Sequence, residues 1–447
     1  ERMINVSISK NARNGKNKKI HSINAEGGLN KLGGMLLKAA LNTSQETVNN
    51  WYTEGANRYG KTFTDRNKNK AACCYAGICL LLSLKCDDTG RSLEDLINDH
   101  KTAFRTDDLF QSIETTILCS IPEDGTSITD IMLGAMINDE EIRETLKYAE
   151  ENKNNAELID SILEKTRPVK SGNGCTCAGL THREASVLLS CEIPEKVQKM
   201  YEIAEEIKLA FYGNRIVLFA PLYLSNYCVN SCLYCPYHMK NKHIARKKLT
   251  QEEVRQEVIA LQDMGHKRLA IEAGEDPVNN PIEYILDCIN TIYSVHHKNG
   301  DIRRVNVNIA ATTVENYRKL KEAGIGTYIL FQETYHKESY LKLHPTGPKH
   351  DYDYHTEAMD RAMEGGIDDV GLGVLFGLEL YKYEFAGLIM HAEHLEAVHG
   401  VGPHTISVPR VKKADDIDPD MFDNGIDDET FTKIAACIRL AVPYTGM

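Results

Sequence analysis

Seven short apolar or β-branched runs, at 215–224, 267–275, 304–311, 326–334, 368–377, 404–411 and 440–446, recur along the second half of this chain with mostly helical patterns between them. Strands separated by helices return to the same end of a sheet and pair in parallel, so the rhythm dictates an α/β fold, most simply a (β/α) TIM-like barrel. A closed barrel of this kind has eight strands, whereas the sequence ends at "LAVPYTGM" within the seventh run. The expectation is therefore an incomplete barrel, with sheet edges open to other chains. Glu1 in place of Met adds the expectation of a fragment or a fused start. Before the rhythm begins, "GGLNKLGGMLLKAAL" and "KAACCYAGICLLLSL" read as helices broken by polar loops, and "LTHREASVLLSCEIPEKVQKMYEIAEEIKLAFYG" reads as helix after a Gly-rich loop, "PVKSGNGCTCAG". The division expected is a helical region over 1–130, a helical lead-in over 131–212 and the barrel over 213–447.

The first of these strands runs into "LSNYCVNSCLYCPYH", which places Cys228, Cys232 and Cys235 on one Asn-rich turn at the strand's carboxyl end, where barrel enzymes carry their active-site loops. Thirteen cysteines, odd in number and irregularly spread over 447 residues, do not form a secreted disulfide framework, so reduced thiols and metal ligation are expected. Three thiolates suit an iron–sulfur cube and leave one iron without a protein ligand. A structural zinc site would recruit a fourth ligand, for which His238 is at hand, and a C-x-x-C redox pair would leave the third cysteine unexplained. Apolar residues make up 42% and charged residues 26%, an ordinary soluble balance, and the formal charge of -12 argues against general affinity for nucleic acid or anionic membrane. No apolar run is long enough to span a bilayer and the first residues lack a secretory signal's apolar centre, so the expected location is cytoplasmic.

C-x-x-x-C-x-x-C with an aromatic, Tyr234, before the last cysteine resembles the radical S-adenosylmethionine (SAM) superfamily. The likeness extends through "GNRIVLFAPLYLSNYCVNSCLYC", "MGHKRLAIEAGEDPVNNPIEYIL", "RRVNVNIAATTVENYRKLKEAGIGTYILFQETYH", "HPTGPKHDYDYHTEAMDRAMEGGIDDVGLG" and "GVGPHTISVPR", which together resemble the tyrosine lyases that mature [FeFe]-hydrogenase, the HydG family, from about residue 135 onward. The resemblance implies a [4Fe–4S] cluster on Cys228, Cys232 and Cys235, SAM on its open iron, and cleavage of the Cα–Cβ bond of L-tyrosine to p-cresol and dehydroglycine. It also implies a reducing donor such as flavodoxin or ferredoxin, other hydrogenase maturation proteins as partners, and a second stage, giving carbon monoxide and cyanide, that depends on a C-terminal cluster whose cysteines this sequence does not contain.

Residue by residue, the resemblance lays Glu272, Ala273, Gly274 and Glu275 along the methionine part of SAM, where a small residue admits the backbone and a carboxylate accepts from an ammonium. Glu333 becomes the acceptor for the ribose hydroxyls. Arg361 becomes a partner for the SAM carboxylate, because a guanidinium fork matches a carboxylate. Arg410 becomes the grip on the amino-acid substrate. His404 matches a histidine associated with a labile iron, and its plain alternative is a neutral imidazole hydrogen-bonded in the barrel mouth.

Two other readings accompany this one. 2-Iminoacetate synthase of thiamine biosynthesis shares the cysteine turn, the "LYLSNYC" lead-in and the "PR" segment, while "EAGEDPVNNPIEYIL" and "VNVNIAATTVENY" fit the hydrogenase branch better. Pro236 stands where many relatives carry glycine and removes a backbone donor near the cluster. A reading of another class is a non-catalytic, metal-stabilised binding module, colourless with zinc, using "GKNKK" and "RYGKTFTDRNKNK" to touch nucleic acid in a salt-sensitive way. "YGKT" lacks the glycine-rich start of a P-loop. Cys73, Cys74 and Cys79 read as small buried thiols of a helix, and Cys175 and Cys177 as a C-x-C on a loop.

Overall fold

The computed structural model describes residues 137–447 apart from 172, 173, 299 and 423; the readings of the helical region over 1–130, its cysteines and its basic loops lie outside the described residues. Residues 142–395 and 402–447 form one compact body. Helices α1 (Asp139–Asn152) and α2 (Ala156–Lys165) lead through a hairpin of Val169–Ser171 and Gly174–Thr176 to α3 (His182–Ser190) and α4 (Pro194–Tyr212). The Gly-rich segment read from sequence as a loop is thus a short antiparallel pair, in register Val169 with Thr176.

Six parallel strands follow, which we number β1 (Ala220–Ser225), β2 (Arg268–Ala273), β3 (Arg304–Asn308), β4 (Tyr328–Ile329), β5 (Val370–Gly373) and β6 (Thr405–Ser407). They lie side by side in chain order from β1 to β6, each joined to the next by a crossover. The crossover helices are α5 (Gln251–Asp263), α6 (Ile282–Ser294), α7 (Val314–Glu322), α8 (Lys337–Leu343), α9 (Tyr352–Thr356), α10 (Ala358–Glu364) and α11 (Tyr381–His399), and α12 (Asp428–Ala441) closes the order. This is the singly wound α/β arrangement of a TIM-like barrel, with β1 the edge strand among the described residues.

Side-chain chemistry explains the elements. Thr250 caps α5: its hydroxyl accepts the Glu253 N–H at 3.2 Å while the Glu253 carboxylate accepts the Thr250 N–H at 2.8 Å. Tyr284, Ile285, Cys288, Ile289 and Ile292 give α6 one buried stripe against the sheet. In β2 the run Leu269, Ala270, Ile271 is buried on both faces, as a strand covered by helices requires.

Every strand is shorter than the run read from sequence, β4 most of all, and the first and last runs differ in kind. The first strand begins at Ala220, and Ile216, Val217, Leu218 and Phe219 stand exposed ahead of it. The expected seventh strand at 440–446 starts as the last turn of α12, where Ile434, Cys437, Ile438 and Leu440 form a buried face. A short apolar run has the same composition in a buried helix as in a buried strand, so length and periodicity could not separate them. The seventh position survives as a single bridge: Ile406 N–H donates to Gly446 O, and Gly446 N–H to His404 O, each at 2.8 Å.

Candidate active site at the carboxyl ends of the strands

All six strands point the same way, so the segments that follow them gather at one end of the sheet. The cysteine turn leaves β1 there. Cys232 is 6% exposed, Cys228 and Cys235 are half-buried, and all three are free thiols. Successive turns shape the segment, with Cys235 N–H donating to Cys232 O at 3.4 Å and His238 N–H to Cys235 O at 3.1 Å. Burial pushes the Cys232 thiol up to about 12 and the Cys235 thiol up to about 11, so ionised sulfurs here require a cationic partner.

Two later segments interlock with this turn. "EAGED", after β2, is laid directly against it: Val229 N–H donates to Glu275 O at 2.8 Å, and the Asn280 side-chain amide donates to both Tyr227 O and Gly274 O at 3.0 and 2.7 Å. A Cβ on Gly274 would stand 2.3 Å from Tyr227 O, so only glycine permits this approach. "HPTGPKH", after α8, forms the other side. Ser231 N–H donates to Thr346 O, Leu233 N–H to Leu343 O, and Lys349 N–H to the Asn230 side-chain oxygen, at 3.0 to 3.1 Å. The Asn230 amide then donates to Glu275 Oε2 at 2.6 Å, so one buried asparagine ties all three segments together.

The titratable groups follow from this packing. Burial raises the carboxyls of Glu272 and Glu275, the latter opposed by Asn230 and Lys349. Glu333, after β4, holds a left-handed backbone at φ 69°, a conformation rare outside glycine, and accepts a 2.7 Å hydrogen bond from Lys349 Nζ. Burial opposes the Lys349 ammonium, but the Glu333 carboxylate outweighs it and holds the lysine charged. Tyr234 is half-buried and sits 2.6 Å from His344 Nε2; His344 Nδ1 faces Tyr340 O at 2.7 Å. Burial and then Lys349 push His344 down to about 3, so it stays neutral, donates through Nδ1 and accepts the Tyr234 hydroxyl.

Other sequence-nominated residues are placed differently. Arg361 lies on α10, where it donates to Thr312 O at 3.1 Å and to Tyr354 O and covers the Tyr354 ring at 3.8 Å. Arg410 follows β6 as expected, with its guanidinium 2.7 Å from Asp428 Oδ1 and over the Phe431 ring. His404 is not in the barrel mouth. It precedes β6 and faces Asp369, ahead of β5, at 3.4 Å, which puts it at the amino ends of the strands, opposite the cysteine turn. The register of parallel strands causes this: a residue just before a strand and one just after it lie at opposite ends of the sheet. His238 pairs with Asp416 at 3.1 Å, and the Pro236 carbonyl accepts from the Asn241 side chain at 2.9 Å.

Sequence reasoning passed over Asn230, His344, Gly347 and Lys349. The signal was present in "HPTGPKH", a Pro/Gly turn carrying a basic residue between two helices.

The donor set fits an iron–sulfur cube. Among the described residues no three His, Cys, Asp or Glu side chains converge on a point for one metal ion. A cube needs no such point, because each of its thiolates holds a different iron, and soft sulfur is the donor it takes.

Comparison with known proteins agrees with this geometry. Residues 222–386 match the radical SAM superfamily. A crystal structure of HydG, a maturase of the [FeFe]-hydrogenase, superposes with a TM-score of 0.65 at 57% identity over 70% of this chain and 66% of that one. The X-ray structure of the FeFe-hydrogenase maturase HydG from Carboxydothermus hydrogenoformans gives 0.62 at 38% identity, over 72% and 71%. The 2-iminoacetate synthase of Salmonella typhimurium is 28% identical over 236 residues, 53% of this chain and 61% of that protein. The chain thus spans about three fifths of the length of this curated relative. Among the described residues, no helix is long and apolar enough to cross a membrane.

Proposed function

The chain belongs to the radical SAM superfamily and, within it, to the HydG family, and from that membership we propose that it is a carbon–carbon lyase that cleaves L-tyrosine to p-cresol and dehydroglycine during [FeFe]-hydrogenase maturation. The family uses a [4Fe–4S] cluster and SAM. When bound, these supply the one-electron chemistry that starts cleavage of the tyrosine Cα–Cβ bond. The observation that carries the reading is the interlocked cysteine turn at the carboxyl end of β1, with Glu275 and Glu333 at later strand ends around it.

In this reading Cys228, Cys232 and Cys235 hold the cluster, and Tyr234 shields it. Glu272, Ala273, Gly274 and Glu275 line the amino-acid part of SAM, Glu333 accepts from its ribose hydroxyls, and Arg361 faces its carboxylate in exchange for its 3.7 Å ion pair with Glu357. Arg410 grips the tyrosine carboxylate. Its present partner Asp428 is 91% exposed, so exchanging that contact for a substrate carboxylate costs little. His404, at the other end of the sheet, is assigned to iron outside the radical cluster. Electrons come from a small donor of the flavodoxin or ferredoxin kind, in the cytoplasm. Identities of 57% and 38% to the two maturase structures, against 28% to the 2-iminoacetate synthase, favour the hydrogenase branch.

The test is anaerobic reconstitution with iron and sulfide, reduction, and addition of SAM and tyrosine. The expected products are 5'-deoxyadenosine and p-cresol. An intact cluster that yields neither would overturn the assignment, and a colourless zinc protein would revive the binding-module reading.

A further inference from the structure

Lys349 is a half-buried cation among acids, thiols and neutral rings. Its side chain is 16% exposed, and Glu333, 11% exposed, is its one hydrogen-bond partner at Nζ among the described residues. The backbone fixes the ammonium's origin: Lys349 N–H is held by Asn230, and Gly347, at φ 103°, folds the chain so tightly against Asn230 that a Cβ there would stand 2.3 Å from its Oδ1. The lysine stem therefore springs from the same asparagine that orders the cysteine turn. Its Nζ stands 5.7 Å from the Tyr234 ring centre. The asparagine that holds the Lys349 N–H also reaches Cys228 Sγ through its amide nitrogen at 3.8 Å, so the lysine is anchored on a residue that touches a cluster thiol.

We propose that Lys349 is a charge-positioning residue for the iron–sulfur cluster, its ammonium favouring the one-electron-reduced state. The inference rests on the cluster assignment above. Three thiolates on a doubly positive cube carry a net charge of minus one, and the electron taken from a low-potential donor makes it minus two, with no bond formed or broken. A fixed positive charge in a poorly solvated site lowers the energy of the second state more than the first. Glu333 holds the ammonium in place and offsets part of its field.

The test is a redox titration of the anaerobically reconstituted chain without SAM, followed by electron paramagnetic resonance and with iron counted per chain. Lys349→Met keeps the stem and removes the charge; its ratio of reduced to oxidised cluster at a fixed potential should fall about tenfold. Lys349→Arg should restore most of the loss. Glu333→Gln, which unmasks the ammonium, should move the ratio the opposite way and decides the matter if the methionine variant fails to retain iron. A fully loaded Lys349→Met with an unchanged ratio, or a Glu333→Gln that shifts downward, would overturn the proposal. Failure of the unaltered chain to take up any cluster would instead sink the functional assignment beneath it.

Discussion

At the residue scale, the site is supported by a carboxyl that never touches it. Glu384, on α11, is fully buried; it accepts the Tyr335 N–H at 2.8 Å and bonds to the Thr334 hydroxyl, so it braces the two residues that follow the left-handed Glu333. Burial pushes its carboxyl up to about 8, with Thr334 and Tyr335 opposing and Glu379 adding. An acid whose folded pKa lies above its unfolded value near 4.5 stabilises fully below that value, and the contribution is lost as pH rises through about 8. Wild type should therefore lose on the order of 2–4 kcal/mol relative to Glu384→Gln between about pH 5 and 8 in denaturant melts. The depressed imidazoles of His344 and His391 act in the opposite sense at lower pH, but they are common to both proteins and cancel in the difference. Parallel pH profiles would show that Glu384 is ionised when folded.

At the scale of elements, the cluster turn has little regular structure of its own and borrows its shape from "EAGED" and "HPTGPKH". A turn held mostly by bonds to its neighbours should loosen when a neighbour shifts, without loss of the sheet. Gly347→Ala forces a Cβ onto a left-handed backbone and against Asn230, a strain on the order of 1–3 kcal/mol confined to that junction. The expected outcome is a variant with wild-type far-ultraviolet circular dichroism whose iron content after desalting falls severalfold. Full iron retention would mean that the turn keeps its shape without this wall. Arg361 belongs to this scale too: it joins α10 to the segment after β3 through Thr312 O, a role its place in the sequence did not disclose.

At the scale of the molecule, the parallel sheet has β1 at an edge, and the exposed run Ile216, Val217, Leu218 and Phe219 leads into it. An apolar run next to unpaired strand edges is a template for self-association. Leu218→Lys places a charge on a side chain that is 73% exposed, so it should leave the melting midpoint within a degree or two, as surface changes do, while lowering light scattering at high protein concentration. Unchanged scattering would show that this edge is not the contact surface.

The strand–helix alternation by itself determined the parallel α/β sheet and the order of six of the seven strands expected, because crossover connections allow little else, and the spacing of Cys228, Cys232 and Cys235 placed three thiols together on the turn after β1. The strand-end positions of Glu275, Glu333 and Arg410 were legible for the same reason. Tertiary structure alone decided that 440–441 finish a helix, since a buried apolar run satisfies either element, and that His404 lies at the far end of the sheet from the cysteines. It alone brought Lys349 into the site, 114 positions beyond Cys235. A cation becomes part of a cluster pocket through burial and through the partner that holds it, and both are set by contacts between segments far apart in the chain.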